Sequence, residues 1–424
     1  MKIIVVHYHL NPGGVTKIIE AQVRGLQNHD PRYEICIACG KSLKESRYDN
    51  VVINSNELLN YHEADTSPEL FSGKVSAIIS FLRSLITGET IIHSHNPGLG
   101  KNPALTLALY KLASEGIPIV NHHHDFPEDR PANMALLKRM IGTASLLNLQ
   151  DIIYPDFKNY HYVVLNSCDS SRIADKGIPR SRIHMLHNPV NPLKSSGKIQ
   201  RNRIIEKLGL NQGKMLCTYP VRAIQRKNLG EFILLAVLFA RRSEFAVTMA
   251  PLNPAELPAY IHWKSFCQSN GIRVRFEAGE IVDYEELISI SDFCITTSIR
   301  EGFGMTYLEP WLAGTPVIGR ELPCIIGDLR EKGLKFPGLY ERILVNENTD
   351  FKDLTQSDQE QWISGINHNP PTRDKFITLN PFLPGFLDQV PAEITEANKQ
   401  IIQQHFSIEE YGKELSGIYQ QISE

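Results

Sequence analysis

The sequence predicts an α/β protein built from two doubly wound parallel sheets, and three observations support this. The chain has 424 residues, more than one hydrophobic core usually holds, so two domains of about 200 residues each are expected. Short apolar runs typical of buried parallel strands alternate with segments of helical periodicity in both halves. The polar stretch 191–202 contains proline, serine and glycine and suits an interdomain linker.

The first half begins with a strand, a glycine turn and a helix. Ile3–Val6 is a continuous apolar run, and a tight turn with Gly13 and Gly14 precedes a helical segment. Such a unit can place ligand phosphates at a helix N-terminus, although neither G-x-G-x-x-G nor a P-loop motif is present. Two interpretations remain for the glycines: close approach of a ligand, or a turn that needs positive φ.

The remaining elements are predicted from apolar periodicity and from the positions of glycine, proline and other turn residues. In the first half, strands are expected at 34–38, 51–54, 90–92, 117–120, 162–165 and 183–187, and helices at 73–86, 103–113 and 132–149. In the second half, strands are expected at 215–220, 246–249, 274–278 and 293–297, and helices at 229–240 and 283–290. The proline-rich segment 346–393 predicts an irregular excursion with short helices. From 396 onward the chain is expected to be helical, broken near Ser407, which would cap the last helix.

Two histidine clusters follow strands of the first half, at 93–95 and 122–125. In such sheets ligands sit beyond the carboxyl ends of the strands. On an extended strand His122 and His124 share a face and His123 points to the other. No zinc-site spacing accompanies them, so hydrogen bonding to a polar ligand is favoured over a structural role or a metal site.

Composition excludes several classes of protein. The net charge of −3 argues against a general nucleic-acid-binding protein. The absence of an 18-residue apolar run argues against a membrane span. Cys36 and Cys39 form a C-x-x-C, but in a strand their thiols would point to opposite faces, which disfavours a zinc or redox site. A reduced, cytoplasmic protein is therefore expected.

The stretch 296–319 carries the main functional signal of the second half. Glu301 lies in a loop that ends at Gly304, a helix is expected from about 305 to 313, and Gly314 fits its left-handed C-terminal position. Glu309 would then lie about one turn into that helix, pointing back toward its N-terminus. Pro310 would cost one helical hydrogen bond or bend the helix, which affects where Glu309 points.

Several motifs occur in one order along the chain: the Gly13-Gly14 turn, His124-Asp125, Asn188-Pro189-Val190-Asn191, Arg222-x4-Lys227, and Glu301-Gly302-Phe303-Gly304 with Glu309 before Ala313-Gly314-Thr315-Pro316-Val317. In this order they resemble the family 4 ("group 1") retaining glycosyltransferases of GT-B fold, from residue 1 to about 320. The match departs at Asn188-Pro189, where the family has asparagine-glycine, and at Pro310. The resemblance implies two Rossmann-like domains facing across a cleft: an acceptor domain at 1–192, a nucleotide-sugar donor domain at 193–395, and C-terminal helices at 396–424 that cross back to the first domain.

The resemblance also implies roles for residues of the donor domain. Arg222 and Lys227 would hold the diphosphate and stabilise charge on the departing phosphate. Glu301 would contact the sugar and favour its positively charged transition state, and Glu309 would accept hydrogen bonds from the ribose. Backbone N–H groups at the helix N-terminus would add to the phosphate site, from Gly304, Met305 and Thr306.

In the first domain, the resemblance assigns ligand contacts to the turn and to the strand end. Gly13 and Gly14 would let the backbone approach the phosphate and the acceptor. His124 would bond a hydroxyl of the donor sugar near the reacting carbon. Asp125 and Arg130 belong to a polar, charged segment that suits a small sugar or acidic acceptor better than a lipid.

The resemblance therefore implies transfer of a hexose, with retention, from a nucleotide diphosphate sugar to an acceptor hydroxyl. UDP-glucose is the first choice of donor from family frequency, ahead of GDP-mannose and ADP-glucose. No metal or other cofactor is expected, because Arg222, Lys227 and the helix end supply positive charge. The alternatives are another GT-B enzyme, such as a sugar-nucleotide epimerase or a phosphorylase, a non-catalytic nucleotide-sugar-binding protein, and a metal-dependent hydrolase built on His122 and His124.

Overall fold

The computed structural model describes residues 1–41, 48, 50–62, 68–144, 148–193, 201–388 and 390–423. Two compact units are present, Met1–Pro189 with His405–Glu424, and Val190–Gln404. The central part of the expected linker, 194–200, lies outside the described residues. Among the described residues, no helix has the length and apolar composition needed to cross a bilayer.

The first unit contains a seven-stranded parallel sheet. Its strands are β1 (Lys2–His9), β2 (Glu34–Lys41), β3 (Val52–Ser55), β4 (Thr90–His95), β5 (Ile119–His122), β6 (Tyr160–Val164) and β7 (Ile183–Met185). The spatial order is β3-β2-β1-β4-β5-β6-β7, so the order of the strands reverses between β1 and β4. In open α/β sheets this switch point, at the carboxyl ends of the strands, is where ligands bind.

Helices cover both faces of this sheet. They are α1 (Gly14–His29), α2 (Pro68–Leu85), α3 (Pro103–Ser114), α4 (Pro131–Ala144), α5 (Leu149–Ile153) and α6 (Ser167–Ala174). Alternate residues of β1 show the two faces: Ile4 and Val6 pack with α2 and α3, whereas Ile3 and Val5 pack with α1. Cys36 and Cys39 lie on opposite faces of β2 as buried free thiols, as the sequence predicted.

The second unit contains a five-stranded parallel sheet. Its strands are β8 (Met215–Arg222), β9 (Ser243–Met249), β10 (Phe293–Thr296), β11 (Val317–Arg320) and β12 (Leu339–Tyr340), in the order β12-β11-β10-β8-β9. Its switch point lies between β8 and β10. The helices are α7 (Arg201–Lys207), α8 (Leu229–Phe239), α9 (Leu257–Ser269), α10 (Tyr284–Ile290), α11 (Glu309–Leu312), α12 (Pro323–Glu331), α13 (Gln356–His368), α14 (Pro370–Leu379) and α15 (Ala392–His405).

An ionic cluster inside the second unit joins β11 to distant parts of the chain. Arg320 is almost fully buried and pairs with Glu231 of α8 at 2.6 Å and with Asp350 at 2.8 Å. The Tyr340 hydroxyl also donates to Glu231 at 2.7 Å. Buried charges are tolerated only when they are paired and hydrogen-bonded, so loss of either carboxylate would strongly destabilise this unit.

The last helix, α16 (Ile408–Ser423), belongs to the first unit and packs along α1. The helices meet at two glycines, because a Cβ built on Gly412 would lie 2.1 Å from the carbonyl oxygen of Gly25. The Ser407 hydroxyl accepts from the Glu410 N–H at 3.2 Å, which confirms the expected cap. The chain therefore closes the core of its first unit with its last helix.

One predicted strand of the second unit is wrong. The expected strand at 274–278 is a single bridge between Ala246 and Arg275, and Glu277 has φ of 51°, which turns the chain out of an extended path. The segment 346–393 contains short helices, as expected, and α13 and α14 together cover 23 of its 48 residues. Pro370 and Pro371 stand in the first turn of α14, where the missing N–H costs no hydrogen bond.

Candidate active site

Two loops of the second unit meet at the carboxyl ends of β8 and β10. The Thr297 hydroxyl donates to the carbonyl oxygens of Lys227 and Asn228, at 3.0 and 2.9 Å. The Tyr219 hydroxyl donates to the same Lys227 carbonyl. Asn228 adopts the left-handed conformation, with φ of 56°, between a 3₁₀ turn and α8. These bonds hold the Lys227 side chain at the switch point of the sheet.

A cluster of opposite charges forms there, and it consists of Lys227, Arg226, Glu301 and Ser298. Lys227 Nζ donates to Glu301 Oε1, Arg226 Nη1 donates to Glu301 Oε2 at 2.9 Å, and Ser298 Oγ donates to Oε1 at 2.7 Å. The Lys227 and Glu301 side chains are 9% and 7% exposed, so the ion pair is largely shielded from solvent. The two cations exceed the single carboxylate by one positive charge, and this cluster is suited to binding an anion.

Burial and pairing act in opposite directions on the two buried charges. Burial raises the pKa of Glu301, but the charges of Lys227 and Arg226 and the hydrogen bonds outweigh it, and the net pKa is below its ordinary value. Burial lowers the pKa of Lys227 despite the opposing charge of Glu301. Glu301 is therefore a carboxylate at neutral pH, which fits electrostatic stabilisation and not proton donation.

Two other predicted donor-side residues lie at the ends of elements of the second unit, Arg222 at the end of β8 and Glu309 at the start of α11. Arg222 ends β8 with an exposed side chain whose Nη1 lies 3.5 Å from the carbonyl oxygen of Ala250. Tyr284, which the sequence analysis did not select, donates to Glu309 Oε2 at 3.3 Å. Arg226, whose side chain is 40% exposed, donates to Glu301 and to the Arg300 carbonyl. Only spatial contact reveals Tyr284, because nothing in its local sequence marks it.

The helix expected at 305–313 is divided. Gly304, with φ of 85°, precedes a 3₁₀ turn at Met305–Tyr307, and α11 begins only at Glu309. Pro310 thus stands in the first turn of α11, where it removes no helical bond, so the expected cost at Pro310 does not arise. The turn's own bonds start from the N–H groups of Tyr307 and Leu308, and those of Met305 and Thr306 are not used by it. Gly314 has φ of 82°, as predicted.

In the first unit, a pocket of about 340 Å³ lies at the carboxyl ends of β1 and β4. Its lining includes Gly13, Gly14, Asp125, Arg130, Lys101, Tyr61, His7 and His9. Gly13 has φ of −178°, and neither glycine has positive φ, so the backbone conformation does not require glycine. A Cβ at Gly14 would meet no atom within 4 Å. The protein's own packing therefore gives no reason for glycine at 14.

Charged side chains of the pocket are partly paired. Arg130 Nη2 lies 3.2 Å from Asp125 Oδ1, and both side chains are about half exposed. Lys101 Nζ lies over the Tyr61 ring at 5.1 Å. His9 Nε2 is 3.0 Å from the Tyr61 hydroxyl. The pocket thus offers Lys101 and Arg130 as cations beside open space at the glycines.

Histidines of β4 and β5 form a buried network beside this pocket. His122 and His124 stack with ring centroids 4.3 Å apart, while His123 packs on Phe126 and Tyr162 on the other face, as the alternation predicted. Burial, reinforced by the neighbouring imidazoles, lowers the pKa of His124 to about 3. The imidazole is therefore neutral at physiological pH and can bond a hydroxyl without carrying charge.

Among the described residues, His93, His95 and His122 could bring three metal-ligating atoms within 4.8 Å of one another. Their nitrogens are largely committed to hydrogen bonds. His93 Nε2 lies 3.1 Å from His122 Nδ1, and both nitrogens of His95 have partners, in Gln22 and His124. Coordination would require these bonds to break, which favours a hydrogen-bonding role.

No protein-family model matches the chain. Over 379 residues it is 28% identical to mannosylglucosyl-3-phosphoglycerate synthase of Petrotoga mobilis, which covers 85% of this chain and 72% of that protein. Mannosylglucosylglycerate synthase of the same organism is 23% identical over 314 residues, 66% of this chain and 71% of that protein. The solved structure of Anabaena HepE in complex with UDP and glucose superposes with a TM-score of 0.62, at 14% identity and 98% coverage of both chains.

The two parallel-sheet α/β units and this superposition define the GT-B fold. The two Petrotoga relatives are named as synthases of sugar compounds, and the chain matches most of the length of each. The chain is therefore a glycosyltransferase, which confirms the class predicted from the order of its motifs.

Proposed function

We propose that the protein transfers a hexose, with retention of configuration as in family 4, from a nucleotide diphosphate sugar to a hydroxyl of a small acidic acceptor. The charged cluster of Lys227, Arg226 and Glu301 carries this proposal. It lies at the switch point of the second sheet, where nucleotides bind in doubly wound folds. The Anabaena structure in complex with UDP and glucose supports the same class of donor.

The donor-side roles follow from charge and hydrogen-bonding capacity. Lys227 and Arg226, with Arg222 at the end of β8, neutralise the diphosphate and the charge that grows on it as the glycosidic bond breaks. Glu301, kept ionised by its partners, stabilises positive charge on the sugar. Glu309, oriented by Tyr284, accepts from the ribose hydroxyls. The leaving phosphate assists deprotonation of the acceptor, and no metal or other cofactor is needed.

The first unit supplies the acceptor side and one contact to the sugar. Open space at Gly14 lets a ligand approach the start of α1 closely. Lys101 and Arg130 favour a negatively charged acceptor, such as a sugar that carries a carboxylate or a phosphate. His124 bonds a sugar hydroxyl in its neutral state. Arg130 is already paired with Asp125, so the negative charge of the acceptor would mainly compensate Lys101.

The names of the two relatives favour a mannosyl donor, GDP-mannose, over UDP-glucose, and an acceptor of the glucosylglycerate type. The direct test is thermal denaturation with GDP, UDP and ADP, followed by transfer assays with the matching nucleotide sugars. Ligand at about 100 times its dissociation constant adds roughly 2.7 kcal/mol of stability. Absence of any shift with all three nucleotides contradicts the proposal. Turnover without an acceptor identifies an epimerase, and binding without turnover identifies a binding protein.

A further inference from the structure

Two hydrogen-bonded branches of the histidine network meet at Gln22 of α1. The Gln22 side chain is fully buried; its Oε1 lies 2.8 Å from His95 Nε2, and its Nε2 donates to the Tyr419 hydroxyl at 2.9 Å. Tyr419 lies on α16 and is also fully buried. Neither residue touches the pocket of the first unit, and the proposed transfer reaction assigns no role to either.

The first branch fixes the proton of His124. An amide oxygen can only accept a hydrogen bond, so His95 must donate from Nε2, and its Nδ1 carries a lone pair. His95 Nδ1 lies 2.9 Å from His124 Nε2. His124 must therefore donate from Nε2, which leaves the lone pair on its Nδ1.

The second branch continues the same chain of donors and acceptors on the other side of Gln22. Tyr419 accepts from the Gln22 amide, so its one proton goes to His93 Nδ1 at 2.8 Å. His93 then donates from Nε2 to His122 Nδ1 at 3.1 Å. In both branches every histidine carries its proton on Nε2, and the orientation of one amide sets them all.

Burial makes this polarity costly to reverse at a single residue. His93, His95 and His122 are completely buried. An isolated change of tautomer would oppose two lone pairs or two N–H groups inside the network, and an unpaired buried polar group costs about 1–3 kcal/mol. The network therefore changes polarity as a unit or keeps it.

We propose that Gln22, anchored by Tyr419, is a positioning residue that holds His124 in the Nε2–H tautomer, with Nδ1 as an acceptor for a hydroxyl of the transferred sugar. The identity of that ligand rests on the proposed function, whereas the tautomer does not. A sugar hydroxyl that donates to Nδ1 keeps its own lone pairs for N–H donors. The opposite tautomer would present a donor at the same point and compete with them.

The test is long-range ¹H–¹⁵N NMR of the full chain labelled with ¹⁵N-histidine, in which the shift of each ring nitrogen reports its protonation. The His124 signals are assigned from their loss in His124→Gln. In the wild-type protein Nε2 is expected to be protonated and Nδ1 not. In Gln22→Met the acceptor for His95 is gone, the His95 proton moves to Nδ1, and His124 is expected to change to the Nδ1–H tautomer.

Tyr419→Phe removes the group that orients the Gln22 amide, and it is expected to give a mixture of the two His124 tautomers. The matched control is Tyr411→Phe, since Tyr411 is a buried tyrosine of the same helix whose hydroxyl has no hydrogen-bond partner among the described groups. We expect kcat for transfer to fall roughly tenfold in Gln22→Met and less in Tyr419→Phe, and to change less than twofold in Tyr411→Phe.

Three results would overturn the proposal. These are an Nδ1–H tautomer of His124 in the wild-type protein, an unchanged tautomer in Gln22→Met, and a reversed tautomer with an unchanged kcat. A metal ion bound to the histidines of the purified protein would overturn it as well. If the tautomers behave as expected but no nucleotide sugar is turned over, the proposal that Gln22 sets the His124 tautomer stands and the proposed function fails.

Discussion

The carboxyl ends of the two sheets carry buried polar groups of opposite character. In the first unit, the histidines beside the pocket are neutral and are joined by hydrogen bonds between rings. In the second unit, Lys227, Arg226 and Glu301 are charged and joined as ion pairs. A neutral network suits recognition of hydroxyls, and a cationic cluster suits recognition of phosphates. In the proposed function, the charged cluster of the second unit accordingly binds the diphosphate, and the neutral network of the first unit binds hydroxyls.

The largest effect is expected from removing the buried cation of the second unit. Lys227→Met should lower kcat/KM for transfer by roughly 10²–10³-fold, because a charge that stabilises the leaving diphosphate is lost. The control is Lys264→Met, which removes a 2.8 Å ion pair with Glu277 outside the cluster and should change kcat/KM less than threefold. Arg226 and Ser298 still bond Glu301 in Lys227→Met, so a loss of activity with little change in melting temperature would show that the defect is not one of folding.

Acid pH should destabilise the first unit more than the second. Burial lowers the pKa of His7 to about 4 and that of His93 to about 3, below the ordinary 6.5. Between pH 6.5 and about 4 the unfolded histidines bind protons that the folded ones do not, so stability is complete above pH 6.5 and falls as the pH decreases.

At pH 5 the loss is roughly 2 kcal/mol for each such histidine as an upper bound. Pulse proteolysis in urea at pH 7 and pH 5, with mass spectrometry of the fragments, assigns the change to a unit. Equal acid sensitivity of peptides from both units would contradict the proposed contrast.

Charge recognition in the first unit should be restricted to the acceptor. Lys101→Met is expected to raise KM for an acidic acceptor by roughly 10–100-fold, the range for a lost charge-assisted hydrogen bond, and to leave KM for the donor unchanged. Lys111→Met, on the exposed face of α3, is the matched control. A KM change for the donor instead of the acceptor would show that the pocket of the first unit has been assigned to the wrong ligand.

The smallest change concerns the glycine turn. Gly14→Ala should leave the stability of the first unit unchanged or raise it by up to about 1 kcal/mol, since its Cβ meets no protein atom. Transfer activity should nevertheless fall several-fold, because the methyl group occupies space next to the ligand. Gly73→Ala in α2 also has free space and should stabilise the protein without loss of activity. Full activity in Gly14→Ala would remove the case for close approach of a ligand at this turn.

Prolines show where sequence patterns misled. The sequence predicts that Pro310 costs a hydrogen bond or bends its helix, and that the proline-rich segment 346–393 is irregular with short helices, yet Pro310, Pro370 and Pro371 each stand in the first turn of a helix. At that position the missing N–H and the fixed φ are no disadvantage. Distinguishing a first-turn proline from an interior one requires the exact start of the helix, which apolar periodicity does not give.

Most strands, and the loop positions of the candidate site, were predictable because parallel strands are continuously apolar and their ends carry the functional residues. The partners were not predictable. Gln22 and Tyr419 are 397 residues apart in sequence, and no local pattern links them. The contact of Arg226 with Glu301 likewise depends on how two loops meet. Local sequence indicated candidate residues for the chemistry, whereas only the tertiary structure shows which side chains they contact.

Hydrogen–deuterium exchange of the full chain with and without a saturating nucleoside diphosphate tests the division between the units most directly. Protection is predicted in peptides that cover 222–228 and 298–309, with little change in peptides that cover 91–96 and 121–125. Protection confined to the first-unit peptides, or no protection in the peptides that contain Lys227 and Glu301, would contradict the assignment of the nucleotide to the charged cluster.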